Sequence, residues 1–153
     1  MALPEGATAP VDLAHVSVVV PSGWTALPDG LSYVPAERVA DLDPLTPFFS
    51  AAAQAQHEWR TLDEVLASHA SALLAEVDQP RLLEAEATEV DERPASRVVL
   101  ARIIDGVDVT LEHWAVPLGG RSLVVLSAQA PTLAFLDRFN EFRDLLGGVT
   151  IDG

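Results

Sequence analysis

The chain contains no cysteine and no lysine, and it has a single methionine and a single tyrosine. Without cysteine there can be no disulfide framework, no thiol nucleophile and no thiolate zinc site, although this says little about the redox compartment. Basic residues are scarce: nine arginines face 23 acidic residues, for a net charge of -14. That surplus repels phosphate backbones and anionic headgroups, so neither nucleic acid nor a membrane surface is expected as a partner. No run approaches the roughly 18 apolar residues of a spanning helix. Met1 to Asp12 carries no basic residue and is interrupted by Pro4 and Pro10, unlike a signal peptide. It reads as a flexible segment, 1–12, ahead of a single domain, 13–153, and a cytoplasmic location is expected.

What is present suits a self-supporting core. The 153 residues are 49% hydrophobic, and a chain of this length buries roughly 70% of its unfolded surface on folding. The β-branched run around Val16, Val18 and Val20 predicts a strand over 14–20, ended by Pro21-Ser22-Gly23, with Trp24 just beyond the turn. A short strand is expected over 31–34. Three prolines between Pro35 and Pro47 predict a long packed loop on which Val39, Leu42 and Leu45 lie against the body. Residues 48–56 read as a strand.

Thr61 and Glu64 have capping-box spacing. Leu62, Val65, Leu66, His69, Leu73 and Val77 continue from them as one apolar stripe, which predicts a helix that stops at Asp78-Gln79-Pro80. A meander of strands is expected next. Residues 82–90 form a charged strand, and 97–104 and 107–116 pair through an Asp105-Gly106 turn, with Asp108, Thr110 and Glu112 on a wet face. Gly119-Gly120 predicts another hairpin, and the apolar run within 122–128 a central strand covered on both faces. A closing helix is expected over 132–146, with Phe135, Leu136, Phe139, Phe142 and Leu146 on its apolar face and Gly147-Gly148 as its stop. The fold class is therefore α+β: an antiparallel sheet with two amphipathic helices packed on it.

The order of elements, with a strand ending in Val20-Pro21-Ser22-Gly23-Trp24, a mid-chain helix, a meander and a closing helix introduced by Ala130-Pro131, resembles the PsbP-like α/β/α sandwich superfamily. That group includes DcrB-type bacterial proteins, a Ran-binding eukaryotic branch, actinobacterial lipoproteins and chaperones of type VI secretion effectors. The resemblance implies a module without enzymatic activity that assembles, escorts or binds other proteins. It transfers no functional residue. Because no signal peptide or lipobox cysteine is expected here, it carries over no role outside the cytoplasm.

Chemistry-bearing motifs are few. His57-Glu58-Trp59 and Glu112-His113-Trp114 would approach zinc geometry only if their strands were neighbours, and neither triplet has helical metal-ligand spacing. No metal or cofactor is expected. His69 lies on the apolar stripe of its helix and reads as a hydrogen-bonded core-edge residue, and His15 as an exposed strand entry. No Gly-x-Ser-x-Gly elbow occurs, and Gly119-Gly120-Arg121-Ser122 leads into a strand rather than a helix, so it is no phosphate loop. The acidic cluster of Glu84, Glu86, Glu89, Asp91 and Glu92 reads as a solvated outer strand.

The function expected is a non-catalytic protein-binding, chaperone-like or assembly module, as monomer or homodimer. Its partner would dock on a sheet face or on the loop 35–47, with Trp24, Leu42, Leu45, Phe48, Trp59 and Trp114 as candidate surface residues. The alternative is a small-ligand binder with an apolar pocket between sheet and helix, lined by Trp24, Phe48 and Phe49.

Overall fold

The computed structural model describes residues 15–55, 61–118 and 122–152. The expected flexible segment 1–12, His57, Trp59 and the Gly119-Gly120 turn lie outside them. The strands are β1 (His15–Val18), β2 (Trp24–Ala26), β3 (Ser32–Pro35), β4 (Phe48–Ala55), β5 (Arg81–Val90), β6 (Arg93–Ile104), β7 (Val107–Pro117), β8 (Ser122–Pro131) and β9 (Val149–Asp152). Three helices accompany them: α1 (Leu62–Glu76), α2 (Thr132–Asp137) and α3 (Phe139–Gly147). The architecture is α+β, as the sequence pattern predicts.

Seven strands form one antiparallel sheet in the order β2-β3-β4-β8-β7-β6-β5, and β1 pairs with β9 in a separate two-stranded ribbon. β8 occupies the middle, as its continuous apolar run predicts, but it is not covered on both faces as expected, because Leu123, Val125 and Ser127 on one side are only half-buried. Asp105 and Gly106 both have positive φ and form the two-residue turn between β6 and β7, the conformation that Asp-Gly favours. Asp91 and Glu92 make the same kind of turn between β5 and β6 without a glycine.

Because side chains alternate along a strand, the sheet has two distinct faces. On one, Val124, Leu126 and Ala128 of β8, Phe49 and Ala51 of β4, and Trp114 and Val116 of β7 meet Phe135, Phe142, Leu145, Val149 and Ile151 in the main core. On the other, Val98, Leu100 and Leu111 meet Leu73 of α1 in a smaller cluster. Thr61 caps α1 by accepting from the Glu64 amide at 3.2 Å, as the capping box requires.

Several expectations are corrected. The closing helix is broken at Arg138 (φ -100°, ψ 13°). The break lets Phe135 and Phe142 stack at 4.9 Å over the sheet, while Leu136 and Phe139 turn outward and are exposed. Residues 24–26 and 149–152 form strands that apolar patterning did not reveal, because each is short and takes its stability from its neighbour. Gly148 does more than stop a helix: a Cβ there would meet the Val19 carbonyl oxygen at 2.8 Å, where the Val19 amide donates to the Gly148 carbonyl. The loop 35–47 contains a 3-10 turn at Ala36–Arg38, and Val39 and Leu42 are exposed rather than laid down on the body.

The face expected to be wet is covered. Glu112 is only 1% exposed, because Arg143 of α3 grips it bidentately at 2.9 and 2.8 Å and Arg97 of β6 donates to the same carboxylate. Arg97 also bonds Glu84 and Glu86 of β5, so one buried charge ties the outer strands to α3. Removing one member of such a pair leaves the rest uncompensated, at a cost of about 3–5 kcal/mol. Glu112→Ala is expected to lose about that much in urea unfolding, whereas Arg81→Ala, which breaks its exposed pair with Asp108, should lose under about 1 kcal/mol.

Candidate functional site

α1 packs on β5, β6 and β7. Among the described residues, the same face of β8 and β4 has no helix above it. The residues pointing there come in cross-strand pairs: Phe48 opposite Gln129, Ser50 opposite Ser127, Ala52 opposite Val125 and Gln54 opposite Leu123. Ser50, Ala52, Leu123, Val125 and Ser127 are half-buried and Gln54 is exposed. The result is a trough with a floor of small side chains, walled on one side by α1. From Phe48 to Gln54 it runs about 20 Å at the usual rise per strand residue.

The trough deepens under α1 into a cleft of about 240 Å3, lined by Val65, His69, Leu73, His113, Leu123 and Val125 among others. Helical spacing from the Thr61 cap puts Val65, His69 and Leu73 on the buried stripe. Strand parity puts His113 on the same face as Leu111 and opposite Val98. The two imidazoles meet there: His69 Nε2 lies 2.7 Å from His113 Nδ1, and His69 Nδ1 lies 2.7 Å from the Ser96 hydroxyl. Burial lowers the pKa of both rings from 6.5 to about 4, and at His113 the neighbouring His69 adds to the effect. Both are neutral at physiological pH. His69 is thus the hydrogen-bonded core-edge residue that the sequence suggests. His113 has it as a partner, a pairing that neither residue's local sequence signals.

A second hollow of about 240 Å3 lies at the far end of the trough, against the loop 36–47, and is lined by Leu27, Val34, Leu42, Thr46 and Phe48 among others. The loop keeps its shape through Asp43 and Thr46: the Thr46 hydroxyl accepts from the Asp43 amide at 2.9 Å and from Arg38 at 3.3 Å. Of the candidate surface residues, Leu42 and Phe48 come together here, and Leu45 is half-buried nearby in sequence. Trp24 and Trp114 are instead core residues, 6% and 1% exposed. Trp24 stacks edge-on against Phe142 at 5.5 Å and donates to Glu141, which anchors the Val20–Trp24 turn to α3. The pocket expected from Trp24, Phe48 and Phe49 does not form, because Phe48 and Phe49 are consecutive on β4 and point to opposite faces. Among the described residues no group of three or more His, Cys, Asp or Glu is placed to hold a metal ion.

The lowered histidine pKa values give a signed pH dependence. Above about pH 6.5 neither state carries these protons. As pH falls from 6.5 toward 4 the unfolded chain takes them up and the folded one does not, so stability falls with falling pH. The expected slope is about 1–2 kcal/mol per pH unit across that window, against a ceiling of about 1.4 per histidine. The double variant His69→Gln, His113→Gln should lose the slope between pH 6.5 and 5, above the carboxylate range; an unchanged slope there contradicts the burial of a neutral pair.

No protein-family model matches the chain, and no curated protein does. Solved structures do. The chain is similar to LpqN, described as involved in cell envelope biogenesis of Mycobacterium tuberculosis, with a TM-score of 0.71 and 16% identity over 97% of this chain and 88% of that one. It is also similar to the cyanobacterial PsbP of Synechocystis sp. PCC 6803, with a TM-score of 0.57 and 13% identity over 97% and 99% of the two chains. A Pseudomonas aeruginosa protein of unknown function matches with a TM-score of 0.58 and 8% identity over 95% and 85%. At these identities the likeness is one of fold, and the chain has the PsbP-like α/β fold.

Proposed function

We propose that the protein is a non-catalytic binding module whose partner is a protein segment lying as an amphipathic helix in the trough over β8 and β4. The observation that carries this reading is the half of the α1 face that no described residue covers. From β7 to β3 is three strand spacings, about 14 Å, and a helix with its side chains is about 10–12 Å across. The opening between α1 and the loop 36–47 therefore has the width of one helix. Its floor of Ser50, Ala52 and Ser127 allows close approach, and Val125 and Leu123 supply apolar contact. Net charge favours a basic partner: the chain carries -14, and Arg38, Arg81, Arg97, Arg138 and Arg143 are each held by an acidic side chain, while Arg102 donates to Gln129 at the far end of the trough.

The Ser96–His69 contact does not favour an enzyme reading. Ser96 is 3% exposed, so its hydroxyl orients the ring and is not open to a substrate.

A fluorescent 18-residue Leu/Lys amphipathic helix tests the reading, with a scrambled peptide of identical charge as control. Binding of the helix is expected to exceed that of the scramble, and Ala52→Lys is expected to weaken it at least tenfold without changing the unfolding temperature. Equal binding of the scrambled peptide, or full binding by Ala52→Lys, contradicts the trough as the site.

A further inference from the structure

We infer that His113 Nε2 is the polar anchor of the cleft under α1, and that it takes a neutral hydroxyl, amide or carbonyl group carried on an otherwise apolar ligand. The inference rests on the reading of the trough as a binding surface and adds the chemistry of its deepest part. His113 lines the cleft. Its Nδ1 is committed to His69 at 2.7 Å, and its Nε2 has no hydrogen-bond partner among the described residues.

A separation of 2.7 Å between two ring nitrogens requires one proton between them, and a neutral pair has two ways to place it. In the first, His69 Nε2–H donates to His113 Nδ1. His69 Nδ1 then accepts from the Ser96 hydroxyl, and His113 Nε2 carries a proton and donates into the cleft. In the second, His113 Nδ1–H donates to His69 Nε2. His69 Nδ1–H then donates to the Ser96 oxygen, and His113 Nε2 is a lone pair that accepts. Every interior hydrogen bond is kept in both, because a hydroxyl serves as donor or acceptor. The ligand selects the polarity of the whole chain. A carbonyl, which only accepts, selects the first arrangement, an N–H donor selects the second, and a hydroxyl fits either.

The surroundings set the rest of the ligand class. Val65, Leu73, Ala115, Leu123 and Val125 make most of the wall apolar beside Gln54 and Ser68, and among the described residues no arginine lines the cleft to balance an anion. Glu76 is the carboxylate at its border, and it is exposed, so it repels an anion without offering a cation a desolvated partner. The space corresponds to about eight waters at about 30 Å3 each, which admits a six-membered ring.

The test uses protein labelled with 15N-histidine. Long-range 1H–15N spectra identify the protonated nitrogen of each ring, and methyl spectra of Val65, Leu73, Leu123 and Val125 are recorded alongside. At saturating cyclohexanone, which only accepts, the protons are expected on His113 Nε2 and His69 Nε2; at saturating pyrrole, whose N–H only donates, they move to His113 Nδ1 and His69 Nδ1. The charged analogues cyclohexanecarboxylate and cyclohexylammonium should bind at least tenfold more weakly than cyclohexanone. If the methyls shift with both neutral probes but the tautomers do not differ, the cleft binds and the anchor is wrong. Tighter binding of either charged analogue also overturns it. If neither methyls nor rings respond, the inference fails, while the amphipathic-peptide titration decides the trough independently.

Discussion

One helix cannot cover seven strands, and the form of this molecule follows from how that shortfall is distributed. One face of the sheet is closed by α2, α3 and the ribbon of β1 and β9, which together bury Phe142, Leu145, Val149 and Ile151 against it. Among the described residues the other face has α1 alone. Its position follows from connectivity: the chain leaves β4, third in the sheet, and must arrive at β5 on the far edge. The crossover has to pass β8, β7 and β6, and α1 settles over the half of the sheet nearest its destination. The bare strip over β8 and β4 is what that route leaves behind, and it is where the sheet carries its small residues.

β7 holds the two halves in register. Glu112 and His113 are neighbours in sequence and so point to opposite faces, Glu112 into the arginines that fasten α3 and His113 into the histidine beneath α1. A slip of one residue would put a carboxylate under α1 and leave Arg143 without its partner. Two polar groups at core positions thus specify a single pairing, at the cost of desolvating both. The charged one is balanced by two guanidinium groups. The uncharged one stays neutral through burial, and its proton can lie on either nitrogen.

Much of the fold is legible in the residues. The Thr61 cap, the apolar stripe of α1 and the Asp105-Gly106 turn each express a local rule that the structure follows; the run through Leu123 to Leu126 gives the central strand but not its cover on both faces, since Leu123 and Val125 are half-buried. The misses have a common cause, which is that tertiary contact overrides local pattern. Glu112 alternates as a solvent-facing residue should, and only the approach of Arg143 from a distant helix makes burial possible. Leu136 and Phe139 have helical spacing, but the break at Arg138 rotates them out. The site was legible only in part. His69 showed its place on the buried stripe, and the parity of His113 with Val109 and Leu111 showed its face. That the two faces were the same one required the sheet order. Phe48 and Leu42 mark the far end of the trough, whereas Trp24 and Trp114 followed their size into the core.

The absence of native cysteine makes the exposure of the trough directly measurable, because an introduced thiol reports on its own site. Ala52 faces the strip between α1 and the loop, and Ala51, next to it on β4, faces the main core and is 5% exposed. The two variants Ala52→Cys and Ala51→Cys, each treated with a maleimide under native conditions, test the central claim. The account predicts that the half-buried thiol at position 52 reacts readily, and that the thiol at 51 reacts at least a hundredfold more slowly. Equal protection at the two positions would show that the face over β8 and β4 is covered, and the account of the trough would fall with it.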